Sequence, residues 1–506
     1  MPTTHSPPQC DVLIVGAGIS GIGAGITLLR SGTSTFLILE AATDLGGTWR
    51  DNTYPGVAVD IASSSYCFSF ETAFPWSNTY AHGDEIQAYV RHCAEKYGVE
   101  RHIRYGARVL KSPFDDDTWI TELHDGTILT SRYLIAATGL FGPPRRPNIP
   151  GLDTFAGRAM HSAQWDHACD LSAKRVAVIG TGASAVQIVP EIAPRVAHLS
   201  VFQRTPIWVA PRRDAPLDRE APRSLRRFAS VRRALRARSE FEIEVLTFLI
   251  VNYRSMRPVV RLVERGVRAW MQREVRDAGT RLRLLPSYGL GCKRPAISNR
   301  YLAAFNRDNV SLVTQPIARV TAEGIITDDG VLHEADTIVL ATGFPTTEKG
   351  NGPSFEVVGR DGVELGHWWD TQRRQAYAGV SVPLFPNFFL TAGPYAGGFN
   401  WFAMLEANLA HIMACIDAAR VRGATRVEVT SGAHERYMRH MWRRADGTVF
   451  KHRACAGSNS YYIDRHGDAS LPLPHTPWWR VLTARRTGDY HFSGGAHARG
   501  SAMEEP

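Results

Sequence analysis

Two glycine-rich turns carry the residues whose type and spacing indicate chemistry most directly. The first turn, Gly16-x-Gly18-x-x-Gly21, follows the apolar run VLIV and opens a stretch with helical periodicity. In that context the first glycine permits a tight turn, the second lets the backbone approach a pyrophosphate, and the third lets the helix pack closely on the strand. Glu40 ends the next apolar run, 19 residues after Gly21, where its carboxylate can accept a hydrogen bond from a ribose hydroxyl. The pattern predicts a dinucleotide site.

A second turn of the same kind, Gly180-x-Gly182-x-x-Ala185, follows the apolar run VAVI. The position that holds an acid in the first unit carries a glutamine followed by Arg204 here. A carboxylate would repel a 2′-phosphate, whereas an arginine pairs with it, so this site is expected to prefer NADPH to NADH. The first site, with its acid, suits the ADP half of FAD. Two dinucleotide sites in one chain imply that a hydride passes between bound cofactors.

These turns require two βαβ units to position them. The apolar runs YLIAATG, residues 133–139, and DTIVLATGF, residues 336–344, both contain Ala-Thr-Gly at the end of a predicted strand, and each would return the chain to one of two sheets. Proline and glycine cluster at GPPRRPNIPG and near Phe344, which is typical of linkers. The predicted fold class is therefore α/β, with two Rossmann-like dinucleotide-binding domains, for FAD and NADPH, and a helical insertion.

The predicted domains are discontinuous. Residues 1–145 and 375–506 form the FAD-binding domain, and residues 150–213 and 287–345 form the NADPH-binding domain. Residues 214–286, rich in arginine and leucine and poor in turn signals, form helices inserted into the NADPH domain.

Length and composition exclude several classes of protein. A chain of 506 residues is too long for one hydrophobic core, and 44% apolar residues is ordinary for a globular protein. No run reaches the roughly 18 apolar residues of a membrane span, and the start lacks the regions of a secretory signal. We predict a cytoplasmic protein without a transmembrane segment.

The seven cysteines are scattered singly, without a CxxC pair. This spacing suggests neither a disulfide framework nor a metal site, so free thiols and no bound metal are expected.

The net charge of +9 is concentrated, because ten arginines fall between Arg212 and Arg238. Without interleaved aromatic residues or a nucleic-acid module, no nucleic-acid partner is expected. The favoured interpretation is a solvated helical face; the alternative is a surface for phosphates or for peripheral membrane contact.

The stretch FAGRAMHSAQWD lies between the two glycine-rich turns. It resembles the FxGxxxHxxxW(P/D) fingerprint of the type I Baeyer-Villiger monooxygenases, within the class B flavoprotein monooxygenases, through Phe155, Gly157, His161, Trp165 and Asp166. Related enzymes that oxidise nitrogen or sulfur usually carry Tyr or Phe in place of the tryptophan. The resemblance implies an FAD-dependent, NADPH-consuming monooxygenase that inserts one oxygen of O2 next to a ketone carbonyl, through a flavin C4a-peroxide, to give an ester or lactone.

Two further stretches extend the resemblance. GGTWRDNTYPGVAVDIASSSYCFSF is similar to the family's flavin-proximal segment, and YGLGCKRPAISNRYLAAFNRDNV to the segment that supplies its active-site arginine. The resemblance implies that Arg294 is the catalytic arginine and that Asp60 orients it. The predicted cofactor-binding residues are Gly16, Gly18, Gly21, Glu40, Gly47, Thr48, Trp49, Asp60, Tyr66, Val109, Gly180, Gly182, Ala185, Arg204, Thr205 and Lys293.

The chemistry explains why an arginine is needed. Its guanidinium is always charged and can hydrogen-bond both a peroxide anion and the oxyanion that develops on the ketone. His161, in contrast, has no partner in the sequence that would make it a general base. We interpret its motif as a hinge anchor that lets the NADPH domain move between two poses.

Some features leave alternatives open. Tyr461 stands where many relatives have Trp in a loop that helps to close the pocket. Phe399, Trp401 and Phe402 either line the flavin or substrate or form an ordinary aromatic core. A monooxygenase that oxidises nitrogen or sulfur, and a flavoprotein reductase or NADPH-binding regulator, are the alternative functions. The ketone and the oligomeric state are not specified by the sequence.

Overall fold

The structure is a computed structural model that describes residues 9–212, 214–220, 223–348, 350 and 352–494. Both ends of the predicted FAD-binding domain, 1–8 and 495–506, and Arg213 of the arginine-rich stretch lie outside the described residues. The strands are β1 (Cys10–Val15), β2 (Phe36–Leu39), β3 (Ile103–Arg104), β4 (Val109–Asp115), β5 (Thr118–Leu123), β6 (Ile128–Ala136), β7 (Arg158–His161), β8 (Arg175–Ile179), β9 (His198–Phe202), β10 (Val209–Ala210), β11 (Ala296–Ile297), β12 (Val310–Val313), β13 (Ile317–Val320), β14 (Gly324–Thr327), β15 (Leu332–Glu334), β16 (Thr337–Leu340), β17 (Glu356–Val358), β18 (Phe388–Leu390), β19 (Arg426–Val429) and β20 (Tyr490–Ser493). The α-helices are α1 (Ile19–Arg30), α2 (Thr48–Asp51), α3 (Gly83–Lys96), α4 (Ala183–Ile192), α5 (Leu217–Glu220), α6 (Arg223–Arg226), α7 (Ala229–Val251), α8 (Tyr253–Glu274), α9 (Ala278–Leu284), α10 (Tyr301–Ala304), α11 (Leu365–Gln372), α12 (Trp401–Val421), α13 (Ser431–Ala445) and α14 (Pro477–Thr483).

The first sheet contains the first glycine-rich turn. Its strands follow the order β17-β4-β5-β6-β1-β2-β3, and β18 also pairs with β6. The pairs of β1 with β2 and with β6 are parallel. Residues Val12–Val15 are buried because α1 and its neighbours cover one face of the sheet and a second apolar cluster covers the other.

The second sheet is parallel throughout, with the order β12-β9-β8-β16-β7. Helix α4 connects β8 to β9, just as α1 connects β1 to β2. The strands that precede and follow each glycine-rich turn therefore occupy equivalent places in both sheets. The two sheets and the helices between residues 217 and 284 agree with the predicted α/β class and its helical insertion.

The chain returns to the first sheet earlier than the sequence indicates. Strand β17 pairs with β4 and begins at Glu356, before the predicted restart at residue 375. We therefore propose that the FAD-binding region resumes before residue 375. The other domain boundaries stay predictions.

The prediction that all cysteines are free thiols was wrong for two of them. Cys292 and Cys455 form a disulfide across 163 residues. Spacing along the chain could not reveal the pair, because its members come together only when the C-terminal region packs on the NADPH region. Cys10, Cys67, Cys93, Cys169 and Cys415 are free.

One helix in the described part of the chain, α12, has the length and apolar composition of a membrane span. However, 67% of its most apolar window is buried inside the protein, where it packs against α1. This burial is expected of a helix in the hydrophobic core of the FAD-binding region.

Candidate active site

The first glycine-rich turn has the geometry that a bound pyrophosphate requires. Gly16 has a φ of +107°, and a Cβ added to Gly21 would lie 1.8 Å from the Gly16 carbonyl oxygen, so both positions need glycine. A Cβ on Gly18 would meet no atom closer than 3.7 Å. The open side of Gly18 is consistent with the approach of a phosphate group.

Glu40 lies directly at this turn. Its carboxylate accepts hydrogen bonds from the backbone N–H of Ala17, at 2.8 Å, and of Ala42, at 2.9 Å. The N–H of Ala107 donates to the Glu40 carbonyl oxygen, which brings the start of β4, with Val109, to the same place. The structure therefore brings together the first turn, Glu40 and the start of β4, the strand that begins with Val109.

The flavin-proximal segment begins beside the same turn. The N–H of Gly46 donates to the Ala17 carbonyl oxygen, and a Cβ on Gly47 would lie 3.2 Å from the Cα of Gly18. Thr48 and Trp49 follow in α2, and the Trp49 ring meets the Tyr66 ring edge-on at 5.8 Å. The predicted residues from Gly47 to Tyr66 thus run from the turn towards α12, where Tyr66 contacts Phe402.

The second turn repeats the first with one difference. Gly180 has a φ of +115°, and a Cβ there would lie 2.4 Å from the Ala341 carbonyl oxygen, whereas a Cβ on Gly182 would meet nothing within 4 Å. Ala185, in the third position, is fully buried. The Thr205 carbonyl accepts a hydrogen bond from the Thr181 hydroxyl at 2.9 Å, which places Thr205 against the turn.

Two cations approach each other beyond this turn. Burial, together with the positive charge of Arg204, lowers the pKa of Lys293 to about 8. Like charges brought together in a partly buried place need an anion to neutralise them. The pair is therefore suited to the 2′-phosphate of NADPH.

Arg294 and Asp60 form a bidentate ion pair across 234 residues of sequence. Nε and Nη2 of Arg294 donate to the two carboxylate oxygens of Asp60, both at 2.6 Å. Burial lowers the pKa of the guanidinium, but the charge and hydrogen bonds of Asp60 together with the nearby Tyr462 and Tyr461 outweigh this effect, so the net direction is upward. The side chains remain 24% and 30% exposed, so a ligand can reach them.

Residues from the last quarter of the chain complete the surroundings of Arg294. Nη2 also donates to the Phe399 carbonyl oxygen at 3.2 Å, and the guanidinium lies 5.3 Å from the centre of the Phe399 ring. Tyr461 and Tyr462 lie close enough for their charges to act on the pKa of Arg294. Phe399 therefore contacts the site.

Tyr462 and Asn459 were missed in the sequence analysis. The Asn459 amide donates to the Thr205 hydroxyl at 2.9 Å, so this loop contacts the second turn as well as Arg294. The only signal in the sequence was that both residues lie within two positions of Tyr461.

His161 does not lie with Arg294. It ends β7, at the edge of the second sheet, and its Nδ1 accepts a hydrogen bond from the Ala163 N–H. Its ring lies 5.9 Å from the Phe344 ring and contacts the backbone of Gly343, in the second linker. Burial lowers the pKa of His161, which favours the neutral ring.

Comparison with known proteins agrees with this geometry. Residues 13–253 match the family model "Pyridine nucleotide-disulphide oxidoreductase". A Baeyer-Villiger monooxygenase of Pseudomonas aeruginosa is 35% identical over 501 residues, which cover 97% of this chain and 93% of that protein. The chain belongs to the Baeyer-Villiger monooxygenases. Family membership supports the Baeyer-Villiger function over the alternatives of a nitrogen- or sulfur-oxidising enzyme and of a reductase or regulator.

Solved structures of similar proteins support the cofactor assignment of this Baeyer-Villiger monooxygenase. OTEMO in complex with FAD and NADP superposes with a TM-score of 0.86 at 27% identity, covering 96% of this chain and 100% of that one. Cyclohexanone monooxygenase from Rhodococcus sp. Phi1 bound to NADP+ gives 0.85 at 27% identity, covering 97% and 100%. The protein is an NADPH-dependent flavoprotein monooxygenase that uses FAD.

Proposed function

We propose that this monooxygenase converts a ketone into an ester or lactone and that Arg294, oriented by Asp60, is its catalytic arginine. The observation that carries the proposal is the bidentate pair, which holds a permanent cation partly exposed beside residues of both predicted cofactor sites. Bound NADPH would supply the hydride that reduces bound FAD, and the reduced flavin would activate O2, one oxygen of which is inserted.

Arg294 would stabilise negative charge on reacting oxygens. Asp60 and the Phe399 carbonyl occupy Nε and Nη2, which leaves the two N–H groups of Nη1 as donors for Tyr462 and for a substrate oxygen. A donor fixed before the reaction needs no reorganisation when charge develops on the ketone oxygen, so it favours the transition state over the bound ketone.

Asp60 would act through Arg294 as a positioning residue. A bidentate carboxylate fixes the plane of the guanidinium, which a single hydrogen bond does not. The Asp60 charge also offsets the cost of keeping a guanidinium partly buried.

We further propose that Lys293, Arg204 and Thr205 bind the 2′-phosphate of NADPH.

Replacing the arginine tests the proposal. Arg294→Ala should still let NADPH reduce the flavin, because the proposed NADPH contacts are untouched, but ester formation should fall by a factor of 100 or more. Flavin reduction is followed by absorbance under anaerobic conditions, and the ester by mass spectrometry with a panel of ketones.

Arg300→Ala is the matched control, since Arg300 lies in the same region but forms a surface ion pair with Glu191. The control should keep normal ester formation. Ester formation by Arg294→Ala at the parental rate would contradict the catalytic role. Absence of an ester from every ketone with the parental enzyme would contradict the substrate class.

We also propose a cytoplasmic location, because the chain depends on NADPH, a reductant that cytoplasmic metabolism regenerates. Cell fractionation, with the protein followed by immunoblot, tests this location.

A further inference from the structure

Exposed apolar side chains are concentrated on three helices. Among the described residues, 19 large apolar side chains are exposed, and ten of them belong to α7, α8 and α14. Scattered exposed apolar residues are normal, but a concentration of them marks a binding surface. We define the docking face as these ten residues: Phe241, Val245, Leu246, Phe248, Val259, Leu262, Val263, Trp478, Val481 and Leu482.

The three helices lie together. Helices α7 and α8 are joined at Asn252 and pack on each other, and α14 contacts α7. Phe241, Val245 and Phe248 are spaced to share one side of α7, and their exposure shows that this side points away from the core. The core side of α7 is formed by other residues, including Ile243 and Ile250.

Arginines surround the docking face. Residues 229–274 contain ten arginines, five glutamates, and neither lysine nor aspartate. Arg254, Arg261 and Arg265 are exposed on α8, between and beside its exposed apolar residues. Arginine stems can lie along an apolar surface while the guanidinium binds phosphate oxygens with two hydrogen bonds.

We propose that the docking face binds an anionic lipid surface. Phe, Leu, Val and Trp would enter the boundary between headgroups and acyl chains, and the arginines would pair with lipid phosphates. A second copy of this chain fits less well, because a two-fold contact through this face would bring the arginines of both copies together. An acidic protein would satisfy the charges but needs complementary apolar pockets for residues on three separate helices.

The docking face is connected to the flavin-proximal segment. The Ser239 hydroxyl on α7 hydrogen-bonds the Ser65 hydroxyl at 2.7 Å, and Arg236 donates to the Cys67 carbonyl oxygen at 2.9 Å. Docking would therefore bring the Tyr66 side of the pocket near lipid, where apolar ketones accumulate. This consequence rests on the proposed function, whereas the lipid binding itself does not.

Vesicle sedimentation with the FAD-loaded enzyme tests the proposal without any ketone. The enzyme should sediment with vesicles of phosphatidylcholine mixed with phosphatidylglycerol, and it should stay in solution with phosphatidylcholine alone. Binding should weaken as salt is raised, because screening reduces attraction between the arginines and the phosphates. Absence of binding to the mixed vesicles at low salt overturns the proposal.

Paired variants locate the binding. Arg261→Gln with Arg265→Gln should weaken partitioning about fivefold per arginine, and Phe248→Ser with Leu262→Ser should weaken it by roughly tenfold. The controls are Arg307→Gln with Arg319→Gln, and Ile128→Ser with Leu332→Ser, which change exposed residues on other elements. FAD absorbance and the thermal midpoint confirm that each variant is folded.

If the docking face binds a partner other than lipid, the same measurements give different results. If Phe248→Ser with Leu262→Ser converts a dimer into a monomer in light scattering, and vesicles bind no parental enzyme, the face is an interface between copies and the proposal fails. Equal vesicle binding by face and control variants also overturns it. Ester assays on the same preparations keep the two proposals separate, since loss of ester formation with intact vesicle binding contradicts only the proposed function.

Discussion

At the scale of the residue, the site depends on placing charges where water is partly excluded. Arg294 has a fixed partner in Asp60, whereas Lys293 faces another cation, Arg204. The first arrangement holds a cation in one orientation, and the second favours the arrival of an anion. Adjacent residues in the chain are thus suited to different tasks.

Gly182 allows a test that separates cofactor binding from folding. Its φ of −74° suits any residue, and an added Cβ meets no protein atom within 4 Å. Gly182→Ala should therefore fold normally but bind NADP+ at least tenfold more weakly, because the methyl group occupies the path of the pyrophosphate. Titration calorimetry measures the affinity for NADP+, and the thermal midpoint measures whether the variant folds normally. Gly180→Ala is the comparison, since its positive φ should lower stability; unchanged NADP+ affinity in Gly182→Ala would contradict the site.

Lys293 predicts a pH dependence of NADP+ binding. With its pKa lowered to about 8, the side chain is protonated below pH 8 and loses its charge above it. The Kd for NADP+ should rise above pH 8, by up to tenfold per pH unit. NAD+, which lacks the 2′-phosphate, serves as the control and should show no such rise. A Lys293→Met enzyme that keeps the same pH dependence would contradict the assignment.

At the scale of the element, the loop after α13 ties separate parts of the site together. Asn459 reaches Thr205 at the second turn, Tyr462 contacts Arg294, and the disulfide joins Cys455 to Cys292 just before Lys293. The N–H of Gly289 also donates to the Ala454 carbonyl oxygen at 2.9 Å. The loop is therefore anchored to the segment that carries the proposed catalytic arginine.

Breaking this anchor should destabilise the protein. Cys455→Ser removes a cross-link over a long loop and should cost about 2–4 kcal/mol, seen as a lower midpoint of chemical unfolding. Cys10→Ser, which changes a free thiol, is the control. Dithiothreitol should lower the midpoint of the parental enzyme but not that of Cys455→Ser. Equal midpoints with and without the reductant would contradict the disulfide.

In the whole molecule, the flavin-proximal segment is joined to helix α4 by contacts that a moving NADPH region would have to change. The Tyr54 hydroxyl donates to Gln187 on α4 at 3.0 Å, and the Gln187 amide donates to the Ala58 carbonyl oxygen. His161 lies beside the second linker, away from these contacts. This placement is compatible with the predicted hinge, which stays a prediction.

If the motif of His161 anchors a hinge, replacing His161 should uncouple NADPH oxidation from ester formation without preventing NADPH oxidation. His161→Ala should still oxidise NADPH, but at least about twofold less ester should form per NADPH, with the difference appearing as hydrogen peroxide. Parallel assays of NADPH, ester and peroxide measure the ratio. His491→Ala, which changes an exposed histidine on β20, is the control. Unchanged coupling in His161→Ala would contradict the hinge.

The parts of the protein that obey local rules could be predicted from the amino-acid sequence alone. A backbone approached by a pyrophosphate requires glycine, so both turns, Glu40 and Arg204 were readable without a structure, and the fold class follows from the two βαβ units. The resemblance of the flavin-proximal and arginine segments added Arg294 and Asp60.

Contacts between distant parts of the chain became apparent only in the folded molecule. The geometry of the Arg294–Asp60 pair, the disulfide, the contacts of Asn459 and Tyr462, and the early return at β17 all join residues far apart in sequence. Such contacts form when whole elements pack, and packing depends on the shape of every neighbour rather than on local spacing. For the same reason, the docking face could be recognised only once its exposed apolar residues were found on α7 and on helices α8 and α14, which both contact α7.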